Sequence, residues 1–273
     1  TKLMPKDPGL GKRDLVAELA AAAQKHGLLW GADVSPSHLE SLVHKHPDWQ
    51  KITADGSPEA KKWGFWHTVF CYNSPYRQHF IATLHEIAAR YRPHGFYIDG
   101  IFWGFSACFC PYCEAKFQNE FSRRLPRRPN WKKRSWYDYL DWRYRQVAEL
   151  SHDIGEAIHS VDPKIGIIWN CGFMGTGWYA AQSPAQARAL DYASTELVPD
   201  WVPQGRNDFS FADEIAIGTT LNRAIKDGKP CNWYIYLPPE ILLAETETSV
   251  DTAVATTTQV CVQEHSQHLR KVF

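Results

Sequence analysis

Short apolar runs alternate with segments of helical character along this chain, and that rhythm limits the folds it can adopt. Each run is rich in large apolar side chains, and apolar residues at helical spacing follow it. Alternation of this kind is typical of a parallel sheet, because parallel strands are joined by helical crossovers. The five predicted strands cover residues 28–34, 96–102, 164–170, 192–198 and 231–237.

The segments between the predicted strands carry specific helix signals. Asp14 is a predicted N-cap for a first helix that ends at Gly27, because short polar side chains accept the free N–H groups there. Pro75 favours the first turn of another helix, which extends to about Tyr91. Further helices are predicted over residues 135–161, 185–190, 209–226 and 250–263.

Polar or aromatic residues stand at the carboxyl ends of the predicted strands. They are Asp33, Asp99, Asn170, Glu196 and Tyr236. In a (β/α)8 barrel those ends form the active-site face, and in a doubly wound sheet they line the ligand crevice. The sequence has no glycine-rich phosphate-binding turn, which disfavours a nucleotide-binding sheet. The sequence therefore predicts an α/β fold of the (β/α)8 TIM-barrel type.

The length of the chain bears on how much of a barrel it holds. Its 273 residues show no internal domain break, so we expect one catalytic barrel domain over residues 1–273. Five strands are recognised where a complete barrel has eight, and the first and last are not among them. We therefore expect the barrel to be incomplete in this chain, as in a fragment of a longer protein.

Cysteines form the densest motif of the sequence. The pattern Cys108-x-Cys110-x-x-Cys113 offers three sulfur ligands on a tight loop. Structural zinc takes four tetrahedral ligands, and Cys71 is the natural fourth, because it lies one strand–helix unit upstream. We predict a structural Zn²⁺ held by these four thiolates in an inserted loop around residues 103–117. Free thiols or a disulfide are the alternatives, although a bridge within Cys-x-Cys is strained.

The order of these motifs resembles the zinc-bearing segment of glycoside hydrolase family 42 β-galactosidases. Residues 70–75 are Phe-Cys-Tyr-Asn-Ser-Pro, and a helix, the strand that ends in Asp99 and the cysteine loop follow. The similarity covers about residues 65–125, and it implies that the four cysteines hold a structural zinc. It ends at the strand terminus, because family 42 enzymes have Asn-Glu where this chain has Asp99-Gly100.

The wider pattern resembles the hypothetical glycosyl hydrolases related to α-L-fucosidases. That group shares the strand end Tyr97-x-Asp99-Gly100 and the stretch at residues 46–56, which contains His-Pro-x-Trp and Asp-Gly. The resemblance implies that Asp99 is a catalytic nucleophile on the fourth strand of the barrel. It also implies that the first predicted strand is the third of the barrel, with strands one, two and eight missing.

Glycoside hydrolysis needs two carboxyl groups that flank the scissile bond, about 5–5.5 Å apart in enzymes that retain the anomeric configuration. With Asp99 as nucleophile, we expect a retaining enzyme in which Glu196 is the acid/base, since Glu196 is the acidic residue of another strand-like stretch. The alternatives are a turn position for Asp99 and a solvent-facing position for Glu196. The reserve carboxyl groups are Asp33, Asp48 and Asp200.

The aromatic content suits a carbohydrate substrate. Aromatic residues make up 14% of the sequence, with 12 Trp, and the apolar face of a pyranose stacks on a flat ring. Ordinary packing in the core is the alternative for each candidate. The predicted substrate-binding residues at the rim of the strand ends are Trp30, His67, Trp103, Asn170 and Trp233.

Charge and hydropathy limit the partners. Lys+Arg and Asp+Glu both number 30, so the charge supports neither a nucleic acid nor an anionic membrane as partner. We interpret the basic loop at residues 123–129 as solvated surface, with a binding patch as the alternative. No apolar run approaches the roughly 18 residues of a membrane span. A homo-oligomer is compatible with the sequence, and thiolate zinc favours the cytoplasm over secretion.

Two other functions stay open at this point. A non-catalytic carbohydrate-binding barrel would keep the Trp residues without a working acid pair. A metal-dependent hydrolase would need a non-thiolate metal site at the strand ends. The sequence contains neither His-Glu-x-x-His nor Gly-x-Ser-x-Gly, which argues against hydrolases of those types.

Overall fold

The centre of the fold is one six-stranded sheet. The structure is a computed structural model that describes residues 3–4, 6–36, 40–59, 70–99, 108–170, 183–197, 220, 224, 231–236 and 259–263. Its strands are β1 (Gly31–Val34), β2 (Gly95–Asp99), β3 (Gly166–Asn170), β4 (Tyr192–Leu197), β5 (Cys231–Tyr236) and β6 (Gln259–Gln263). The α/β class and the five predicted strands are confirmed.

Strands β1 to β5 are parallel, and each pairs with the next along the chain. A doubly wound sheet reverses its strand order at a switch point, and the described strands follow one another without a reversal. Strand β6 runs antiparallel to β5, so the helix predicted over residues 250–263 is wrong at residues 259–263. The Val-Cys-Val run at its centre favours a strand through its β-branched side chains.

Six α-helices are described around the sheet. Asp14 accepts the N–H of Ala17 at 3.2 Å, and Gly27 follows the first helix with φ +63°, so both predicted ends of that helix are confirmed. The helix predicted over residues 209–226 lies outside the described residues, apart from positions 220 and 224. None of the described helices has the length and apolar character that crossing a membrane requires. The helices are α1 (Leu15–Lys25), α2 (Glu40–Lys45), α3 (Tyr76–Tyr91), α4 (Pro111–Phe121), α5 (Arg134–His159) and α6 (Pro184–Ala189).

The two faces of the sheet carry different side chains, as β2 shows. Phe96 and Ile98 are almost completely buried and belong to the same apolar core as side chains of α3 and α5. Successive side chains of a strand point to opposite faces, and the alternate positions of β2 hold Tyr97 and Asp99, which are only partly buried. Asp33 of β1 pairs with Tyr97 and continues this polar face. The core therefore lies on one face, and Asp33, Tyr97 and Asp99 lie on the other.

A close approach between α5 and α6 fixes where β4 begins. A Cβ atom at Gly155 would lie 2.6 Å from the carbonyl oxygen of Ala189, so only glycine permits this packing. Asp191 lies two residues after the end of α6, and its N–H donates to the carbonyl of Ile167 at 3.1 Å. The Asp191 carboxylate accepts the Ile167 N–H at 2.8 Å in return. These contacts set the position of β4 beside β3.

Candidate functional site

The four predicted cysteines meet in the structure. The sulfur atoms of Cys71, Cys108, Cys110 and Cys113 all lie within 4.8 Å of one another, and those of Cys71 and Cys113 are 3.3 Å apart. All four are free thiols, and each is at most 1% exposed. The expectation that Cys71 joins the cysteine loop is confirmed.

A short extended segment holds the two parts of this cysteine cluster together. The N–H of Cys71 donates to the carbonyl of Trp49 at 2.9 Å, and the N–H of Phe109 donates to the carbonyl of Ile52 at 2.7 Å. Residues 49–52 therefore bind both cysteine-bearing segments through their backbone. Cys110 immediately precedes α4, and Cys113 lies three residues later, which is a spacing that puts side chains on one side of a helix.

Asn73 supports the cluster, and the sequence analysis missed it. Its backbone N–H donates to the sulfur of Cys71 at 3.3 Å, and its side-chain amide donates to the sulfur of Cys113 at 3.4 Å. The amide oxygen of Asn73 accepts from Lys116 Nζ at 3.4 Å, which brings a positive charge near the thiols. The signal that could have found Asn73 is its position two residues after Cys71, where a loop turns back on its own sulfur.

Burial and mutual contact shift the pKa values of the clustered cysteines. Burial raises the pKa of the Cys71 and Cys113 thiols, because an isolated charge is costly away from water. The hydrogen bond from Cys108 lowers the pKa of the Cys110 thiol. Four thiolates can coexist in this buried site only around a metal ion. The donor set, its mutual distances and its closure to water fit a structural metal site, which lacks an open position.

The second group of candidates lies at the carboxyl edge of the sheet. Asp99 is the last residue of β2 and is half-buried. It pairs with Asn170 of β3, which in turn pairs with Ser194 of β4. Glu196 lies two residues beyond Ser194, so it occupies the same alternate set of strand positions as Asp99. Strand spacing and rise put the two Cα atoms roughly 12 Å apart.

A further carboxyl group lies next to Asp99. Asp33 pairs with Tyr97 in the register, so Asp99 is diagonal to it on the neighbouring strand. Partial burial raises the pKa of Asp33, and the negative charge of Asp99 raises it further. The structure therefore brings Asp33, an alternative catalytic carboxyl group in the sequence-based prediction, beside the predicted nucleophile Asp99. Asp48, another reserve, accepts a hydrogen bond from Tyr112 Oη at 3.1 Å near the cysteine loop.

The predicted substrate-binding residues have different outcomes. Trp30 precedes β1, its N–H donates to His94 Nδ1 and its carbonyl accepts the N–H of His94, which precedes β2. Trp30 therefore lies at the amino edge of the sheet. That edge is opposite to the one that carries Asp99, and Trp30 is not part of the site proposed below. Trp233 pairs with Thr195, the residue before Glu196 in β4. Trp233 and Glu196 therefore occupy strand positions on opposite faces of the sheet. His67, Trp103, the reserve Asp200 and the side chains of Asn170, Glu196 and Trp233 lie outside the described part of the chain.

Part of the chain matches a known family. Residues 1–100 match the family model described as hypothetical glycosyl hydrolase 6. This segment contains Cys71 and ends just after Asp99, and the match confirms the predicted resemblance to hypothetical glycosyl hydrolases. A search of curated proteins finds no match.

Solved structures of glycosidases have a similar fold. The α-L-fucosidase isoenzyme 2 from Paenibacillus thiaminolyticus is 20% identical with a TM-score of 0.50, over 67% of this chain and 30% of that one. A cold-adapted β-galactosidase from Rahnella sp. R3 is 16% identical with a TM-score of 0.61, over 81% and 37%. The catalytic domain of a β-amylase from Paenibacillus polymyxa is 11% identical with a TM-score of 0.57, over 84% and 75%. The chain thus spans less than half of the fucosidase and the galactosidase, and these identities bear on the fold alone.

Proposed function

We propose that this protein is a glycoside hydrolase whose strands β1 to β5 belong to a (β/α)8 barrel, within one catalytic domain that includes residues 1–273. The observation that carries the proposal is the position of Asp99. It ends an inner strand of a sequentially wound parallel sheet, inside the segment that matches the glycosyl hydrolase family model. Carboxyl ends of barrel strands are where enzymes of this architecture hold their catalytic groups.

Closure into a barrel agrees with the winding of the sheet. Right-handed crossovers between sequential parallel strands put every helix on the same face. The apolar positions Phe96 and Ile98 then face the helices, and the polar positions Asp33 and Asp99 face the barrel interior. A twisted sheet covered on one face only curls around its other face, and further strands would complete the ring.

The proposed reaction is retaining hydrolysis of a carbohydrate substrate, with Asp99 as nucleophile. The Asp99 carboxylate attacks the anomeric carbon while Glu196 donates a proton to the departing oxygen, and a glycosyl ester forms on Asp99. Glu196 then removes a proton from water, which attacks the same carbon and releases Asp99. Asn170 lies between the two acids in the register and is proposed to bind a sugar hydroxyl. His67 and Trp103 complete the proposed substrate-binding set, and Trp233 is left out because it occupies the alternate set of strand positions to Glu196.

The cysteine cluster is proposed to hold a structural Zn²⁺ with Cys71, Cys108, Cys110 and Cys113 as ligands. The ion would cross-link the cysteine loop to the start of α3, with no coordination position left for water. Four reduced thiols also favour a reducing compartment, such as the cytoplasm. Among the described residues, the other group of potential metal ligands lies on the surface of α5 (His152, Asp153 and Glu156), away from the strand ends, and gives no support to a metal-dependent hydrolase.

The test is hydrolysis of a panel of aryl glycosides that includes a β-galactoside and an α-L-fucoside. We expect turnover of one sugar, and a loss of about 10³-fold or more in kcat for Asp99→Asn with the fold intact. Asp141→Asn, on the exposed surface of α5, is the matched control and should keep the wild-type rate. Equal rates for wild type and Asp99→Asn would remove Asp99 from the mechanism. Sugar binding without turnover would instead favour a non-catalytic barrel.

A further inference from the structure

The loop between α4 and α5 concentrates positive charge. Residues 122–134 contain seven Lys and Arg and no Asp or Glu, in a chain whose formal net charge is zero. The structure divides these seven cations into two sets. One set is bound to the body of the protein, and the other points away from it.

The bound set fixes the loop in place. Arg123 and Arg134 both pair with the carboxylate of Asp138, and the Arg123 guanidinium lies 5.2 Å from the centroid of the Phe121 ring. Arg127 Nη1 donates to the carbonyl of Ala54 at 2.9 Å, and its guanidinium lies 3.6 Å from the Glu114 carboxylate. These contacts join the loop to α4, to the start of α5 and to the backbone at Ala54, so the loop has a defined conformation.

The outward set comprises Arg124, Arg128, Lys132 and Lys133. All four are exposed. Within the part of the chain that the structure describes, no carboxylate forms an ion pair with any of them. Exposed cations in a single loop that has no acid of its own produce a local positive potential that the rest of the chain does not cancel.

Trp131 lies in the middle of the outward set and presents a flat apolar surface. It is 56% exposed, which is unusual for a side chain of this size. Trp136 and Tyr137 meet it edge-on, with ring centroids 6.0 and 6.1 Å away, and the Tyr137 hydroxyl donates to the Trp131 carbonyl at 2.8 Å. These contacts restrict the Trp131 side chain, which lowers the entropic cost of binding a ligand on its exposed surface.

The loop lies at the same edge of the sheet as Asp99, the carboxyl edge. Helix α5 connects β2 to the parallel strand β3, so it runs from the carboxyl edge back to the amino edge. Its 26 residues span about 39 Å, whereas a five-residue strand spans about 17 Å. The first turn of α5 and the loop before it therefore project beyond the carboxyl edge, on the side where the proposed active site opens.

We propose that Arg124, Arg128, Trp131, Lys132 and Lys133, hereafter the Trp131 patch, bind an acidic polysaccharide. A pyranose ring stacks on Trp131, and the surrounding cations pair with carboxylate or sulfate groups along the sugar chain. The choice of a sugar over a nucleic acid rests on the proposed function, and binding here requires no catalysis. The patch would hold a polymer on the face of the protein where its chain could enter the proposed active site.

The test is calorimetric titration of the whole protein at low ionic strength, where exposed charges are least screened. The probes are a uronate oligosaccharide, a sulfated oligosaccharide of equal length, neutral maltohexaose and an oligothymidylate of matched charge. We expect the acidic sugars to bind and maltohexaose to bind at least about tenfold more weakly, and comparison of the two acidic probes identifies the anionic group.

Variants separate stacking from charge. Trp131→Ala and the double variant Lys132→Glu with Lys133→Glu should each weaken binding of the acidic sugar about tenfold, and Trp131→Phe should restore most of it. The matched control, Lys12→Glu with Lys164→Glu, makes the same charge change at exposed positions elsewhere and should leave the affinity unchanged. An oligothymidylate that binds as tightly as the sugars, or an unchanged affinity in Trp131→Ala, would overturn the proposal. Hydrolysis is not measured here, so either result is independent of the Asp99 test.

Discussion

The cysteine cluster and the carboxyl edge of the sheet are two candidate sites that the chain assembles in different ways. The cluster joins two segments only 42 residues apart, and backbone hydrogen bonds to residues 49–52 hold both. The edge collects Asp33, Asp99, Asn170 and Glu196 from four strands, and only the register of the sheet aligns them. The first site therefore depends on contacts within one part of the chain. The second depends on every helix whose packing determines the position of a strand.

The largest expected effect is the loss of the metal from the cluster. Cys113→Ser removes one of four buried ligands, so we expect the zinc content to fall from one ion per chain to a small fraction. The melting temperature should fall by about 10 °C or more, because metal binding energy becomes folding energy in such sites. Elemental analysis of the purified protein and thermal unfolding followed by circular dichroism measure the two effects.

Graded variants show whether the cluster is as local as its contacts indicate. Asn73→Ala keeps all four thiols but removes the amide that donates to Cys113, and metal affinity should fall about 10- to 100-fold in a chelator competition. Gln78→Ala, exposed on the neighbouring turn of α3, should leave the affinity unchanged. Wild-type protein that carries no zinc, or Cys113→Ser protein that still carries a full equivalent, contradicts the proposed site.

The same contrast explains what the sequence could predict. Cys71 was identifiable because ligand number and spacing are properties of the chain itself, and Asp14 because an N-cap acts within its own helix. Residues 28–30 were predicted to begin a strand, but β1 starts at Gly31, and Leu28 is 61% exposed. The apolar run there precedes the sheet, which is why Trp30 lies at the amino edge. A strand boundary depends on where the neighbouring strand stops pairing, and that information is not local.

The error at residues 259–263 has a similar cause. Local spacing there is compatible with a helix, but the segment pairs antiparallel with β5. The pairing partner is more than twenty residues away, and its hydrogen bonds outweigh a weak local preference. The proximity of Asp33 to Asp99 could not be predicted from the sequence either, since it comes from the alignment of β1 with β2.

The next effect tests whether the edge can be disturbed while the cluster is left intact. Gly155→Ala would force a methyl group against the carbonyl oxygen of Ala189, so α6 must shift, and β4 with it. We expect the free energy of unfolding to fall by about 1–3 kcal/mol, as in overpacked cores. The kcat/KM for the active glycoside should fall as well, because Glu196 moves relative to Asp99, whereas the zinc content should stay at the wild-type value.

Glu156→Ala provides the control for this variant, since it changes the next residue of α5 at an exposed position. It should alter neither stability nor activity measurably. If Gly155→Ala lost zinc along with activity, the two sites would be coupled through α5 and would not be independent of each other. If it lost neither stability nor activity, the packing of α6 would not be what sets the position of β4.

The smallest expected effect is a pH dependence that belongs to the edge alone. Partial burial and the nearby charge of Asp99 raise the pKa of Asp33, so the native protein holds this proton more tightly than the unfolded chain does. Stability from this group is therefore present below the ordinary pKa of Asp and is lost as pH rises through the higher native value. Asp33→Asn cannot ionise, so it should be the more stable protein at neutral pH. The difference should be less than about 1 kcal/mol, because the Asp33 side chain still reaches solvent, which screens its charge.

Urea unfolding of wild type and Asp33→Asn between pH 4 and pH 7 measures this difference. The gap between the two proteins should widen as pH rises and nearly close at the acid end of the range. Asp141→Asn on the surface of α5 should follow the wild-type curve throughout. A stability difference that is constant with pH would mean that the Asp33→Asn substitution acts through packing and not through charge. A wild type that is more stable than Asp33→Asn at neutral pH would mean that ionised Asp33 stabilises the native protein, opposite to the expectation. In either case Asp33 and Asp99 would not interact as charges in the way that their adjacency at the carboxyl edge predicts.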